Sequence, residues 1–482
     1  MRIRQLLRAS ALYGIADMLV LGVSGFLLLP LYTHALSQAD FGGYVIVKTN
    51  IELIGYLIQF GLLSAVGRLY FDHRGGGEPG RYINSILMFA LLVIAAAAGI
   101  AAAAGDPLWR LVSPGTPSRP YLWYALGIAA LTFTAGLGSL WVRLDNRVNL
   151  FVGIQITAAA IVTVAAFVAL EVLHLGLPGL LAAFAIGYLP ATLVLLWRIG
   201  GDLAPRIRRA DLLPSLHYGL PFAVSYIAFF ILNRFSVLTL QRHVTLEDIA
   251  IFGLAQQLAL VITVASQSFG KAMQPAVFGA TPEAAPEILR RSSRLFILLI
   301  FGAASGAVLF ASEIIRIVAP AGYLSGLPVL IVLLVAAFVY SLSLVSNTAL
   351  EYHRRPRTSA AMSVLGAVMS VVLGLALIPP YGLLGGAVAT LGAYVAMTLF
   401  SHIMAWRISG QSYFGELAMV TAALAGMALL AAWPGWGGMH VVLAGAIKLA
   451  IIGAVFAALA AVYVPNRFRQ AIARVRGGTG KA

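Results

Sequence analysis

Apolar segments long enough to cross a bilayer recur from one end of this sequence to the other. A helix of about 20 mainly apolar residues spans the roughly 30 Å hydrocarbon core of a membrane. Of the 482 residues, 61% are hydrophobic and only 10% are charged, which excludes an ordinary soluble protein. We therefore predict an all-α polytopic membrane protein.

Hydropathy places about 14 transmembrane helices along the chain. We expect them at 10–34, 42–66, 83–105, 121–143, 149–171, 175–197, 216–240, 249–275, 293–312, 328–350, 358–378, 383–406, 414–433 and 439–464. They group into an N-terminal lobe of six helices, a connector, a C-terminal lobe of six helices, and two additional helices with a basic tail. The corresponding ranges are 1–199, 200–215, 216–410 and 411–482.

The distribution of positive charge indicates the topology. If the N-terminus is cytoplasmic, most of the 32 Lys and Arg residues fall in cytoplasmic segments, and the outer loops hold only Arg110, Arg119, Arg242 and Arg316. Loops rich in Lys and Arg remain on the cytoplasmic side of a membrane. The segment 197–214 around the connector, with four arginines and two aspartates, follows this rule. We predict that both termini are cytoplasmic.

The residue types exclude several other functions. There is no cysteine, so neither a disulfide nor a thiolate metal site can form. The histidines show no paired metal-binding spacing and no P-loop is present, so we expect no metal, no cofactor and no ATP hydrolysis by this chain. The net charge of +15 lies in short loops, where topology explains it, and we expect no nucleic-acid partner. No connection has room for a catalytic domain, so we predict that the protein is not an enzyme.

The two lobes are built to one plan. A Tyr-Gly pair opens both, at residues 13–14 and 218–219, and an apolar helix led by Gly179 in the first lobe and Gly382 in the second closes them. With an even number of spans in each lobe, the copies have the same orientation. They are then related by a pseudo-two-fold axis along the membrane normal.

Three segments resemble Wzx-type polysaccharide-transport proteins, the oligosaccharide flippases of the superfamily that also holds MATE exporters and the lipid II flippase. These segments are LYGIADMLVLGVSGFLLLPLYTHALSQADFGGY at 12–44, Gly61-Leu62 with Arg68 at the end of the second span, and IPPYGLLGGAVATLGAYVA at 378–396. The resemblance implies a multi-pass protein of the bacterial inner membrane that moves a polyprenyl-pyrophosphate-linked glycan outward by alternating access. It also implies that spans 1, 2, 7 and 8 surround a central cavity.

Polar residues in those four spans are the candidate substrate-binding residues. A charge at mid-bilayer costs about 2.5–3.5 kcal/mol, so such residues usually face the bundle interior or a wet cavity. The candidates are Arg234, Lys48, Lys271, Asp17, Glu52, Arg68, Gln267 and Gln274. We expect the cations to replace the hydration of a pyrophosphate, and the glutamines to hydrogen-bond sugar hydroxyls.

Several of these residues also have a simpler interpretation. Lys48 and Glu52, four residues apart on one helix face, would pair with each other. Lys271 would extend to the cytoplasmic surface, and Asp17 would serve as a counter-ion or a helix–helix hydrogen bond. Topology alone explains Arg68, although the resemblance implies a role in substrate uptake.

Two further cations complete the set of charges inside the spans. Arg234 lies several residues from the outer surface and has no obvious local partner. Lys448 lies in one of the two additional helices, and we expect it to meet lipid headgroups or nothing specific.

The predicted function is a flippase for an undecaprenyl-pyrophosphate-linked oligosaccharide that feeds O-antigen, capsule or exopolysaccharide synthesis. Membrane lipid surrounds it, and polysaccharide polymerase or chain-length regulator proteins are candidate partners. Proton or sodium coupling would act through Asp17 or Glu52, although no sequence feature demands it. The main alternative is a cation-coupled, MATE-like exporter of small cationic compounds, which would need an acidic cavity and fewer spans. A non-transporting scaffold is the third reading, and the charges inside the spans argue against it.

Overall fold

The computed structural model describes residues 26–75, 78–281, 283–353, 355–410 and 412–463. Within these residues every regular element is a helix. Twelve helical segments are long and apolar enough to cross a membrane. They coincide with the predicted spans from the second to the last, because Arg357–Ser409 contains two of those spans. The all-α polytopic fold is therefore confirmed. Most of the first predicted span, including Asp17, lies outside the described residues.

The chain forms two compact units. The first contains the described residues up to Leu254, together with Val318–Pro320 and Gly374–Gly386. The second contains Ala255–Ile317, Ala321–Leu373 and the described residues from Ala387 onward. The two lobes and the connector predicted from the sequence stay predictions.

The helices of the first unit follow one another closely along the chain. They are α1 (Leu29–Ala35), α2 (Gln38–Gln59), α3 (Leu62–Gly75), α4 (Pro79–Val112), α5 (Tyr121–Leu144), α6 (Val148–Phe167), α7 (Gly176–Gly187), α8 (Leu189–Ile199), α9 (Arg209–Leu240) and the start of α10 (Leu246–Phe278).

The second unit holds the rest of α10 and most of the helices that follow. These are α11 (Ala285–Leu309), α12 (Ala311–Val318), α13 (Leu327–Tyr352), α14 (Pro356–Ser409), α15 (Phe414–Ala431) and α16 (Val441–Tyr463).

A left-handed turn separates α2 from α3. Phe60 has φ 44° and Gly61 has φ 71°, so the helix cannot continue through them. A Cβ on Gly61 would lie 2.0 Å from the carbonyl oxygen of Gly219 in α9. Only glycine permits this contact between two backbones. Gly61 therefore contacts the Tyr-Gly pair at residues 218–219.

A second break divides α14 where hydropathy predicts a boundary between two spans. Gly382 has φ 52° and ψ −127°, and Pro379 and Pro380 come just before it. Proline has no N–H to donate, and its ring clashes with the preceding turn. The break separates the two predicted spans within this one long element.

The core of the first unit includes a buried polar cluster where α3, α5 and α8 meet. Tyr70 donates to Asp145 at 2.6 Å, and the indole of Trp141 donates to the Tyr70 hydroxyl at 3.0 Å. Arg198 pairs with Asp145 and lies over the Trp141 ring, 4.2 Å from its centroid. The charged groups are thus paired inside an apolar core, as burial requires.

Ion pairs fasten both additional helices in the second unit. Arg294 of α11 donates to Glu416 of α15, and Lys448 of α16 lies 2.6 Å from Glu313 of α12. Lys448 is only 1% exposed. The expectation that Lys448 meets lipid headgroups or nothing specific is wrong, because hydropathy does not show which face of a helix packs inward.

Candidate substrate site

An ion pair joins α2 to α9 within the first unit. Arg234 Nε donates to Glu52 Oε2 at 2.7 Å, and Arg234 Nη2 donates to Glu52 Oε1 at 2.7 Å. The side chains are 19% and 30% exposed. A planar guanidinium facing both oxygens of a carboxylate is a strong and directional arrangement. The partner that sequence reasoning did not find for Arg234 lies 182 residues away along the chain.

Aromatic contacts continue the α2–α9 interface one turn from the ion pair. Tyr56 stacks on Tyr226 with ring centroids 5.9 Å apart and an interplanar angle of 16°. Its ring also meets Phe230 at 6.1 Å in an edge-on arrangement. The Tyr226 hydroxyl and Ser64 Oγ are 2.7 Å apart, which ties the pair to α3.

Lys48 lies one turn from Glu52 on the other side. Its Nζ is 5.8 Å from the centroid of the Tyr44 ring, and Tyr44 stacks on Phe184 of α7 at 5.9 Å. Residues four apart share one face of a helix, so Lys48, Glu52 and Tyr56 form one row on α2.

We call this row together with its counterpart on α9 the ladder. The ladder consists of Lys48, Glu52 and Tyr56 on α2 and of Tyr226, Phe230 and Arg234 on α9. It carries two cations and one anion. A guanidinium that donates to both oxygens of a carboxylate can donate in the same way to two oxygens of a phosphate. The ladder can therefore bind an anionic group that replaces Glu52, with an aromatic surface beside it.

Arg68 lies on the exposed surface of α3. It pairs with Asp72 one turn along at 3.7 Å, and both side chains are 61% exposed. Pairs of this kind contribute little to stability. The predicted role of Arg68 in substrate uptake stays a prediction.

The remaining candidates are Gln267, Lys271, Gln274 and Asp17. Gln267, on α10 in the second unit, is exposed and hydrogen-bonds to Tyr340 of α13. Lys271 and Gln274 occupy positions in the same helix, and their side chains lie outside the described residues, as does Asp17 altogether.

Sequence reasoning missed Tyr44, Tyr56, Phe230, Ser64 and Phe184. The signal for the first three was present, since each lies one helical turn from a candidate charge, Lys48, Glu52 or Arg234, on the same helix. Ser64 and Phe184 could not have been found, because their contacts join different helices.

A cavity of about 430 Å³ lies on the opposite face of α2, between α4 and α5. Its walls are apolar apart from Asn50, whose amide donates to Ser113 at 2.7 Å. It offers no charged group to a substrate. Among the described residues, no group of three or more His, Asp or Glu side chains could hold a metal ion.

Comparison with solved structures gives known transporters. The chain aligns with the lipid II flippase MurJ in an inward closed conformation, with a TM-score of 0.73, 12% identity, and coverage of 95% of this chain and 99% of that chain. It also aligns with an inward-facing multidrug resistance MATE family transporter of the MOP superfamily, with a TM-score of 0.63, 17% identity, and coverage of 82% and 94%. A MOP superfamily transporter from Pyrococcus furiosus gives a TM-score of 0.56 at 16% identity, with coverage of 83% and 96%.

This chain has the fold of MOP-superfamily transporters. No protein-family model and no curated protein matches the sequence. The fold that the resemblance implied is confirmed, since MurJ and MATE transporters share it with this chain. The assignment to Wzx-type proteins stays a prediction.

Proposed function

We propose that this protein is a MOP-superfamily flippase that moves a polyprenyl-pyrophosphate-linked oligosaccharide across the bacterial inner membrane by alternating access. The observation that carries the proposal is the extent of the structural match. MurJ, a lipid II flippase, aligns over 95% of the chain, whereas the inward-facing MATE transporter aligns over 82%. Because a larger share of this chain matches the lipid II flippase, we favour a lipid-linked substrate over a small cationic drug.

The charge of the ladder supports an anionic headgroup. Arg234 and Lys48 bind the pyrophosphate, and Glu52 holds the Arg234 guanidinium until the substrate arrives. Without the Glu52 carboxylate, the partly buried cations of Arg234 and Lys48 would lie close together, which is unfavourable in a low dielectric. Proton or sodium coupling then acts through Glu52, once it is displaced, or through Asp17.

The other parts of the proposal follow the sequence. Lys271, Gln267 and Gln274 contribute to substrate binding from α10, and Arg68 assists uptake at the cytoplasmic surface. Both termini are cytoplasmic, and the flipped glycan enters O-antigen, capsule or exopolysaccharide synthesis. Polymerase or chain-length regulator proteins are the partners that receive it. The protein itself catalyses no covalent step.

The test is flipping in proteoliposomes that contain a fluorescent polyprenyl-pyrophosphate oligosaccharide. We expect the headgroup to appear on the opposite face with wild-type protein, and Arg234→Ala to abolish its appearance. Arg290→Ala is the matched control, because Arg290 forms an exposed pair with Glu287. Flipping at wild-type rate by Arg234→Ala would remove the ladder from the mechanism.

A cation-coupled exporter is the second candidate, since MATE transporters share the fold. The same vesicles loaded with a fluorescent organic cation distinguish the two functions. Efflux of the dye by folded protein, without flipping of the glycolipid, would favour the exporter and overturn our proposal.

A further inference from the structure

The part of the predicted connector that lies between α8 and α9, residues 200–208, packs against α4 within the first unit. We refer to these residues as the connector below. Asn84 Nδ2 donates to the carbonyl of Ala204 at 2.9 Å, and the Ala204 N–H donates to Asn84 Oδ1 at 3.3 Å. A Cβ on Gly80 would lie 2.2 Å from a carboxylate oxygen of Asp202. The connector therefore lies directly against the first turns of α4.

The buried carboxylate of Asp211 lies in the first turn of α9, directly after the connector. Asp211 is only 2% exposed. Ser85 Oγ donates to its Oδ2 at 3.0 Å, and Arg208 Nε lies 3.5 Å from the same oxygen. The other oxygen, Oδ1, faces Nε2 of His73 on α3 at 3.3 Å. A buried carboxylate needs such donors, because an unpaired one is strongly unfavourable.

Both ring nitrogens of His73 face atoms that accept hydrogen bonds. Nδ1 lies 3.0 Å from the carbonyl oxygen of Leu69, and Nε2 faces the Asp211 carboxylate. A neutral imidazole has one N–H, so it can donate to only one of these acceptors. The doubly protonated imidazolium satisfies both. The ring also lies parallel to that of Tyr82, with centroids 4.0 Å apart, and the Tyr82 hydroxyl is 3.0 Å from Ser215 Oγ of α9.

Charged side chains from each neighbouring element surround this pair. On α3, Asp72 pairs with Arg68, and around the start of α4, Arg81 pairs with Glu78 at 2.6 Å and lies 3.5 Å from Asp202. Arg208 of the connector also pairs with Glu78.

Glu78 is the carboxylate that joins two of these arginines. The hydrogen bond from Arg208, the nearby charge of Arg81 and the other contacts of Glu78 hold its pKa below the usual range, so Glu78 stays ionised. Histidine is the side chain whose charge changes between about pH 5 and 8. Of the side chains named here around Asp211, His73 is the histidine.

We propose that His73 and Asp211 form a proton-operated latch that holds the connector and the first turn of α9 against α3 and α4. The proton is bound in the latched state, so acid favours the latch and rising pH releases it. The latch concerns the same helix that carries Arg234, and it does not depend on the identity of the transported substrate.

Hydrogen exchange of residues 200–212 in the purified full-length protein, corrected for intrinsic rates, tests the latch. We expect exchange to be about fivefold slower at about pH 6 than at about pH 8, the size of a partly exposed ion pair. His73→Gln removes the charge and should exchange fast at both pH values. His73→Lys keeps a permanent cation and should exchange slowly at both.

His217→Gln is the matched control, because His217 is an exposed histidine on α9, the helix that carries Asp211. It should behave as the wild type does. Equal protection of the wild-type connector at both pH values would overturn the proposal without any variant. Retention of the pH dependence by His73→Gln would overturn the assignment to His73.

Discussion

Removing Glu52 should destabilise the protein more than removing Arg234, although the two residues form one ion pair. Glu52→Ala leaves the Arg234 guanidinium, only 19% exposed, near the second cation of Lys48. Arg234→Ala leaves a carboxylate that still has Lys48 one turn away. The first change therefore leaves two like charges near each other, and the second leaves an opposite pair.

The expected sizes follow from the burial of the pair. Breaking a buried pair by removing one partner costs about 3–5 kcal/mol, and an exposed pair contributes about 0–1 kcal/mol. With side chains 19% and 30% exposed, we expect about 3 kcal/mol for Glu52→Ala and about 1.5 kcal/mol for Arg234→Ala. The double variant should cost less than the sum by about 2 kcal/mol, because two charge-assisted hydrogen bonds are lost only once.

The assay is equilibrium unfolding of the purified variants in detergent, followed by the loss of helical signal. The pair Arg290–Glu287, with side chains 50% and 64% exposed, is the control and should show coupling of at most about 0.5 kcal/mol. Additive losses for Glu52 and Arg234, or a larger loss for Arg234→Ala, would refute the reasoning.

Three further changes test other parts of the structure. Gly61→Ala should destabilise by about 2 kcal/mol in the same unfolding assay, since a Cβ at φ 71° would also meet Gly219; an unchanged midpoint would contradict the backbone contact. Glu313→Ala should cost about 3 kcal/mol by leaving the buried Lys448 ammonium unpaired, whereas Lys448→Met should cost much less. Burial raises the pKa of Glu313, but hydrogen bonds from Lys448 and Ser312 more than offset this and hold it below its ordinary value. The stability gained from that pair is present at neutral pH and should be lost in acid as pH falls through the lowered pKa, which unfolding across a pH series measures. Ala97→Leu should raise the unfolding temperature in detergent by filling part of the 430 Å³ cavity; a lower temperature would mean that the cavity walls cannot accept the added volume.

Hydropathy was sufficient to predict the long apolar helices of the described residues, because a backbone in lipid must satisfy its own hydrogen bonds. It did not predict the turn at Phe60 and Gly61 inside the span 42–66, or the short helix α12. Even the break in α14 falls where two predicted spans meet, at Gly382. Local spacing also placed Lys48 and Glu52 on one face of α2. These features depend only on residues that are near one another in the sequence.

The partners of the charged residues could not be predicted in the same way. Glu52 has a cation four residues away, yet it also binds Arg234 in another helix through both of its oxygens. Asp211 and His73 lie on different helices, and so do Lys448 and Glu313. Such pairs are decided by how helices pack, and hydropathy carries no information on which faces meet.

The contact between Gly61 and Gly219 has a consequence for how the site can vary. Neither residue has a side chain, so the backbones themselves set the spacing of α2 and α9 at that point, and no change of rotamer can adjust it. Tyr226 lies two turns along α9 from Gly219, and Arg234 lies two turns further. The distance across which Arg234 meets Glu52 therefore depends on this contact between two glycines. A larger residue at either glycine would push α2 and α9 apart, and so would change the spacing of every ladder pair without any substitution within the ladder.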